Sequence, residues 1–149
     1  MAEYLAVAAQ DVPLNQAAVF EASIPCRAGN VAFENGTGVF ILRGNTTNCF
    51  ARYSVDFNGN IALPEGGTVG PIAVAIAVNG ETRPSSLAIS TPAAVEQFNN
   101  VTSTAIIDVP RGCCYFISLR HVAASTDPTV TPAPVVTIQN GNFRINRIA

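Results

Sequence analysis

The stretch Pro71-Ile72-Ala73-Val74-Ala75-Ile76-Ala77-Val78-Asn79-Gly80 decides the fold class of this chain. Its large β-branched residues recur at every second position, which is the period of a β-strand, and Asn-Gly is the strongest short signal for a hairpin turn. The large residues alternate with alanine rather than with polar residues, so neither face of the strand suits contact with water. We expect one face to fill a sandwich core and the alanine face to pack closely against another surface.

Similar short runs of β-forming residues are spread along the chain and separated by turn signals. The predicted strands are 17–23, 38–43, 51–56, 72–78, 104–109, 115–122, 135–139 and 142–148. Among the turn signals between or beside them are Asn58-Gly59, Asn79-Gly80 and Asn140-Gly141. Several short strands at this spacing predict an all-β sandwich or barrel, and no helical segment of the length that a doubly wound fold requires is found. Residues 91–98 fit either a short helix beginning at Thr91 or an extended strand.

The composition points to one domain with few ionisable groups. The chain has 149 residues, of which 48% are hydrophobic and 12% charged, where soluble domains average roughly 25% charged. It has eight arginines and no lysine, and its net charge is −2. Because the arginines are scattered singly, nucleic-acid binding is excluded as a function class. The low charge suits a rigid protein that is partly covered by like subunits.

The first 25 residues lack the features of an export signal, and no part of the chain predicts a membrane span. Residues 1–25 have no basic start followed by an apolar core, so we expect a chain that is made in a cytoplasm, kept soluble, and carried to any exterior by particle assembly or cell lysis. No stretch reaches the roughly 18 apolar residues of a membrane helix. We predict that residues 1–25 form an N-terminal arm or first strand, a possible docking segment, and that 26–149 form the main domain.

The four cysteines, Cys26, Cys49, Cys113 and Cys114, do not follow the paired Cys-x₂₋₄-Cys spacing of a metal site. Cys113 and Cys114 are adjacent and would point to opposite faces of a strand. Two interpretations remain open: reduced thiols in the core or at a subunit interface, or at least one disulfide bond.

Other catalytic or metal-binding patterns fail on their spacing. His121 is the only histidine, and no Gly-x-Ser-x-Gly elbow accompanies it and Asp127, so we interpret it as a strand-end histidine at a surface or interface. Residues 56–60 resemble the start of a calcium loop, but Ile61 and Gly67 stand where glycine and glutamate are required. We predict a hairpin turn at Asn58-Gly59 instead. No active site, cofactor or metal is expected, which indicates architecture or adhesion.

Two segments, residues 71–81 and 142–149, resemble parts of trimeric C1q/TNF-like jelly rolls. They are similar to the C-terminal domains of collagen-like exosporium glycoproteins of spore formers, and residues 109–114 also resemble small proteins of gut Firmicutes and their phages. The resemblance implies a ten-strand jelly roll, a tight trimer with the end of the chain near the threefold axis, and no catalytic residues. Since aromatic residues are only 7% of the chain, we expect an aliphatic core rather than ring-rich packing.

Our leading hypothesis is therefore a non-enzymatic, homotrimeric structural protein that decorates a particle, most directly a phage virion assembled in host cytoplasm, as a head decoration or fibre protein. The candidates for its trimer interface or core are Ala73, Ala75, Ala77, Phe143, Ile145 and Ile148. One alternative is a spore exosporium or cell-surface trimer. Another is an adhesion module that binds a glycan or a host receptor through exposed loops. The candidate ligand residues of those loops are Asn45, Thr46, Asn48, Thr126 and Asp127.

Overall fold

The computed structural model describes residues 2–24, 30–33 and 36–149, with the backbone alone at 22–24. Within these residues the chain forms twelve strands and one 3₁₀ turn, Pro84–Ser86. The strands are β1 Ala2–Ala6, β2 Gln10–Pro13, β3 Glu21–Ile24, β4 Val31–Phe33, β5 Phe40–Arg43, β6 Phe50–Ala62, β7 Ile72–Val78, β8 Glu81–Thr82, β9 Ala88–Ser90, β10 Asn99–Pro110, β11 Cys114–Val122 and β12 Val135–Arg147. They exceed the expected ten because short segments such as the two-residue β8 also pair.

The strands make two antiparallel sheets of six. Sheet A has the order β10-β6-β12-β1-β3, and β2 also pairs with β12. Sheet B has the order β4-β5-β11-β7-β8, and β9 also pairs with β7. The main apolar core draws its side chains from both sheets. This two-sheet arrangement confirms the all-β sandwich that the regular turn spacing predicts.

Aromatic rings fill the centre of the core. Phe40 stacks on Phe143 with ring centroids 4.7 Å apart, and Tyr4 and Phe20 lie 4.5 and 5.9 Å from the Phe40 ring. All four residues are at most 2% exposed. The expectation of an aliphatic rather than ring-rich core is therefore wrong at its centre. The aromatic residues are few, but these lie at inward-facing positions, where ring pairs add about 0.5–1.5 kcal/mol each beyond their buried area.

Strand β7 matches its predicted bounds, Ile72–Val78. The Asn79-Gly80 pair that follows it has φ values of 52° and 82°, as a type I′ hairpin turn requires, and it joins β7 to β8. Alternating β-branched residues followed by Asn-Gly thus specify this hairpin locally.

Two other Asn-Gly pairs lie inside strands rather than at turns. Asn58-Gly59 is within β6, and Asn140-Gly141 is within β12, where the register shifts between Gln139 and Asn142 as in a β-bulge. Asn140 has a φ of 54° at this bulge. The predicted hairpin at Asn58-Gly59 and the predicted break before residue 142 are therefore wrong. These glycines serve close packing instead of chain reversal.

The segment 91–98 forms neither the helix nor the strand considered for it. Its residues make bends and turns, and Glu96 has a φ of 60°. The Glu96 N–H donates to the Leu63 carbonyl at 2.8 Å, and the Gln97 side chain accepts a hydrogen bond from the Ala93 N–H. One hydrogen bond to Leu63 outside the segment and one within it therefore hold the segment in an irregular path.

The described part of the predicted N-terminal arm contributes three strands to sheet A. Strand β1 lies between β12 and β3, and β2 pairs with the beginning of β12. Tyr4 and Phe20 are in the core. The expected boundary at residues 25 and 26 falls outside the described residues. A docking role for this segment stays a prediction.

Candidate functional site

Short polar side chains make up most of the outer face of sheet A. Side chains alternate along each strand, so every second residue of β10, β6 and β12 points away from the core. The register sets these residues in three rows: Ile106–Ser54–Asn146, Thr104–Asp56–Arg144 and Thr102–Asn58–Asn142. Ile106 is the apolar exception and is 59% exposed. Strand β10 ends the sheet, and no described strand pairs with its other edge.

Charged groups on this face are largely paired with one another. Arg52 binds Asp108 through two hydrogen bonds, Nε to Oδ1 at 2.7 Å and Nη2 to Oδ2 at 2.9 Å. The hydrogen bond from Arg52 lowers the pKa of Asp108, and the Arg52 guanidinium lies 5.1 Å from the centre of the Phe50 ring. Arg144 Nε is 3.8 Å from Glu3 Oε1. Arg52 and Arg144 are thus paired, and within the described residues Asp56 is a carboxylate of this face without a salt bridge.

A shallow polar groove of about 330 Å³ crosses the same face. It is lined mainly by amide, hydroxyl and charged groups, namely those of Asp56, Asn58, Asn100, Thr102, Thr104, Asn140, Asn142 and Arg144. The Asn100 amide donates to Asn60 Oδ1 at 3.2 Å, while Asn142 Oδ1 is shielded from solvent without a hydrogen-bond partner. The groove therefore offers both hydrogen-bond donors and hydrogen-bond acceptors.

The alanine face of β7 is buried within a single chain. Ala73, Ala75 and Ala77 are 0% exposed, although they point away from the main core that holds Ile72 and Val74. Ala73 and Ala75 form a small second cluster with Val122, against which Ala124 packs. The neighbouring strand places Arg120 directly opposite Ala75. Burial of these alanines thus needs no second chain, and their assignment to a trimer interface stays a prediction.

The remaining interface or core candidates fall into two environments. Phe143 and Ile145 lie in the main core, at 0% and 1% exposure. Ile148 follows β12 and is 48% exposed. Its N–H donates to the Arg52 carbonyl at 2.9 Å, which ties the end of the chain to β6.

The two loops proposed as a ligand site lie at opposite ends of the sandwich. Asn45, Thr46 and Asn48 follow β5, beside the start of β11, whereas Thr126 and Asp127 follow the end of β11. A nine-residue strand spans roughly 30 Å, so these loops do not form one site. Asp127 accepts hydrogen bonds from the Thr129 N–H and hydroxyl, which lower its pKa.

His121 lies in the interior and not at a surface as expected. It is 1% exposed, and its Nδ1 lies 3.0 Å from the Val12 carbonyl, where an N–H would donate. This contact joins sheet B to β2 of sheet A. Burial lowers the pKa of His121 below its usual value. The ring is enclosed, and its hydrogen bond serves a backbone carbonyl rather than a nucleophile.

Three of the cysteines are exposed. Cys49, Cys113 and Cys114 are free thiols at the surface of the single chain, because all of them lie in or beside loops, so the core half of the interpretation is wrong for these three and a position at a subunit interface stays a prediction. Cys26 lies outside the described residues. Across 2–24, 30–33 and 36–149, no group of three metal-ligating side chains is placed to hold an ion.

Sequence reasoning missed the outer face of sheet A as a candidate site. In β10 the exposed Ile106 is followed by the buried Ile107, and in the sequence the two adjacent isoleucines predict a buried segment. The available signal was the alternation of Asn100, Thr102 and Thr104 with less polar neighbours. Over the described ranges, no helix has the length and apolar character needed to cross a membrane.

The fold matches solved jelly rolls along nearly its whole length. The globular domain of zebrafish complement 1qA matches with a TM-score of 0.55 at 12% identity, over 95% of this chain and 92% of that one. Eiger TNF from S. frugiperda matches with a TM-score of 0.66 at 10% identity, over 100% and 92%. Murine APRIL matches with a TM-score of 0.50 at 11% identity, over 97% and 99%.

These identities show the fold alone. The chain is a C1q/TNF-like jelly-roll β-sandwich, which confirms the fold that the resemblance implied. No protein-family model and no curated protein matches the sequence.

Proposed function

We propose that this protein is a non-enzymatic structural module that assembles as a homotrimer and decorates the surface of a particle, with a phage virion as the first candidate. The observation on which this proposal rests is the outer face of sheet A, where most side chains are short and polar and where Arg52 and Arg144 are paired with Asp108 and Glu3. The jelly-roll fold and the enclosure of the only histidine support a role in assembly rather than catalysis.

The edge of sheet A supports association in particular. Strand β10 is 12 residues long, and its outward side chains include no lysine and a single carboxylate, Asp108, which Arg52 already neutralises. Long edge strands in monomers usually carry charges, prolines or bulges that prevent pairing with other chains. Here Pro110 stands only at the end of the strand, and Ile106 is left exposed. We infer that a second copy of the chain covers this edge.

The chemistry of the face suits close contact between protein surfaces. Serine, threonine and asparagine side chains are short and let two backbones approach, and the paired arginines bring no unpaired charge into the contact. Three copies related by a closed rotation would each use this face against a different surface of the next copy. Such an assembly buries the groove and the edge together.

Light scattering of the purified protein tests the trimer. We expect three times the chain mass of 15.5 kDa at micromolar concentration, and a stable monomer would contradict the proposal. Ile106→Asp should dissociate the assembly, because it places an unpaired charge in the contact. Val69→Asp is the matched control: Val69 is 51% exposed in the loop before β7 and should leave the mass unchanged.

The particle is identified by locating the protein in its native source. Immunogold imaging should label virions; labelling of spores instead would favour the exosporium alternative, and labelling of neither would contradict particle decoration.

A second candidate function, glycan binding, is favoured by the polar groove. It requires an open outer face of sheet A, so it competes with the trimer for the same surface. A selective hit on a glycan array that is lost in Asn58→Ala, from a protein that scatters as a monomer, would support it over the structural role.

A further inference from the structure

Three exposed thiols lie at one end of the sandwich. Cys49 ends the loop that follows β5, Cys113 ends the turn between β10 and β11, and Cys114 begins β11. Backbone hydrogen bonds hold the two segments together: Gly44 N–H donates to the Cys113 carbonyl, and Arg111 N–H donates to the Cys49 carbonyl, each at 2.9 Å. We call this group of three cysteines the thiol end.

Gly44 shows how tightly the two segments are joined. A Cβ atom built on Gly44 would lie 2.1 Å from the Pro110 carbonyl oxygen and 3.3 Å from that of Cys113. Only glycine fits there, so the loop carrying Cys49 is held directly against the turn carrying Cys113. The three thiols therefore share one surface as a property of the fold.

Exposure of these thiols runs against the usual behaviour of cysteine. Free cysteine is among the most buried residue types, and exposed thiols are open to oxidation and to exchange with disulfides. Here all three described cysteines are exposed and free, and they do not form a cluster that could hold a metal ion. Neither packing nor metal binding explains them.

The surroundings of the thiols resemble a protein contact surface. Phe50, next to Cys49, is 39% exposed, and Phe116, two residues beyond Cys114 on the same face of β11, is 49% exposed. Arg43 and Arg111 are exposed at the same end. Aromatic residues and arginine are the types enriched in interfaces between proteins.

We propose that the thiol end docks against the thiol end of a second copy of this chain, and that disulfide bonds then lock the contact when the particle meets an oxidising exterior. The occupant is a second copy because a surface of free thiols is chemically complementary to itself. The inference extends the proposed assembly role: the thiols lie at the end of the sandwich, next to Phe50 at the margin of the outer face of sheet A, whereas the trimer contact is centred on the rows around Ile106.

The chemistry requires a disulfide oxidant such as oxidised glutathione. One cysteine thiolate attacks a sulfur of the oxidant, which forms a mixed disulfide and releases one glutathione thiol. The thiolate of the second chain then attacks the protein sulfur of that mixed disulfide and releases the second glutathione. Two protein thiols are oxidised to one disulfide, and one molecule of oxidised glutathione is reduced to two thiols.

The test uses the full chain under native conditions with a mixture of reduced and oxidised glutathione. Non-reducing electrophoresis should show covalent dimers, and peptide mass mapping should place the bonds between Cys49, Cys113 or Cys114 of two chains. Loss of the dimers in the triple variant Cys49→Ser, Cys113→Ser, Cys114→Ser, and their retention in Cys26→Ser, are expected.

A variant with a single thiol at the opposite end of the sandwich controls for cross-linking through random collision of chains. Thr126→Cys, added to the triple variant, exposes one thiol at the opposite end and should yield glutathione adducts without dimers. Equal cross-linking by this variant, bonds to Cys26, or adducts alone in the wild-type chain would overturn the proposal. Light scattering in reducing agent reports the trimer separately, so failure of one proposal is distinguishable from failure of the other.

Discussion

Gly59 of β6 and Gly141 of β12 lie so close together that a Cβ atom built on Gly59 would be 3.0 Å from the Gly141 Cα and 2.7 Å from Cζ of the Phe57 ring. The contact occurs where the β12 bulge shifts the register of the two strands. Two Asn-Gly pairs that look like separate turns in the sequence thus meet in the interior of sheet A.

Gly59→Ala should therefore destabilise the protein. The added methyl group must displace the Phe57 ring or the backbone of β12, and overpacking of this kind costs about 1–3 kcal/mol in the free energy of unfolding. Urea denaturation measures it. Gly70→Ala is the matched control, since nothing lies within 4 Å of its Cβ position, and it should change stability by no more than about 0.5 kcal/mol. Equal effects of the two variants would contradict the packing argument.

Ser86→Ala should remove a hydrogen bond that completes sheet B. The Ser86 hydroxyl accepts from the Ile76 N–H at 2.9 Å and donates to the Arg83 carbonyl at 2.7 Å, and Ser86 is 2% exposed. Loss of the hydroxyl leaves the Ile76 N–H buried without a partner, at a cost of about 1–3 kcal/mol. Ser85→Ala changes the exposed neighbouring hydroxyl and should leave the urea midpoint unchanged. A stable Ser86→Ala protein would show that water replaces the hydroxyl.

Ala75→Leu should lower stability independently of protein concentration. Ala75 is buried inside one chain, so the larger side chain overpacks the small cluster with Val122 and costs about 1–3 kcal/mol. Ala94→Leu, at an exposed site, serves as the control. If the alanine face were an interface between subunits, the loss would instead depend on protein concentration, because association would stabilise the folded chain by mass action.

Acid should destabilise the protein through His121 before it affects the carboxylates. Burial lowers the native pKa of His121, so the unfolded chain, with a pKa of about 6.5, binds the proton more readily. Stability is then fully present above about pH 6.5 and falls, by up to about 1.4 kcal/mol per pH unit, until the native pKa is reached. Asp108 and Asp127 have lowered pKa values, so their contributions are lost only below about pH 4.

The urea midpoint of the wild-type protein should therefore decrease between about pH 7.5 and pH 5.5. In His121→Gln the side chain keeps a donor for the Val12 carbonyl but does not titrate, and its midpoint should stay level over this window. Parallel slopes for the two proteins would assign the pH dependence to another group.

The sequence predicts those parts of the fold that depend on neighbouring residues. Strand β7 and its type I′ turn follow from β-branched alternation and Asn79-Gly80, all within ten positions. The conformation of Asn58-Gly59 depends on pairing with β12, more than 80 positions later in the chain. The turn preference of Asn-Gly alone therefore predicts a hairpin where strand β6 in fact continues. Long-range pairing overrides the local preference there.

The candidate surfaces were less predictable for the same reason. Ile106 and Ile107 are equivalent in the sequence, and only the packing of the two sheets decides which face of β10 is buried, so that Ile107 lies in the core and Ile106 on the outer face. Likewise, the loop carrying Cys49 and the turn carrying Cys113 are distant along the chain and meet through the close approach at Gly44 and the hydrogen bond from Arg111 to Cys49. Exposure of a site is a property of the assembled sheets rather than of a local pattern.

Strand β12 has a consequence for how the protein is made. It is the last strand, and it is the pairing partner of β1, β2 and β6, so Asn142 reaches Glu3 across 139 positions of the chain. Strand β1 can pair with β3 early, but β2 and the other edge of β1 stay unpaired until β12 has been made. The native contacts of β12 therefore span most of the described chain, which gives the fold a high contact order and folding on the millisecond-to-second scale of all-β domains. The interval before β12 pairs is when the chain is most exposed to aggregation and most dependent on chaperones.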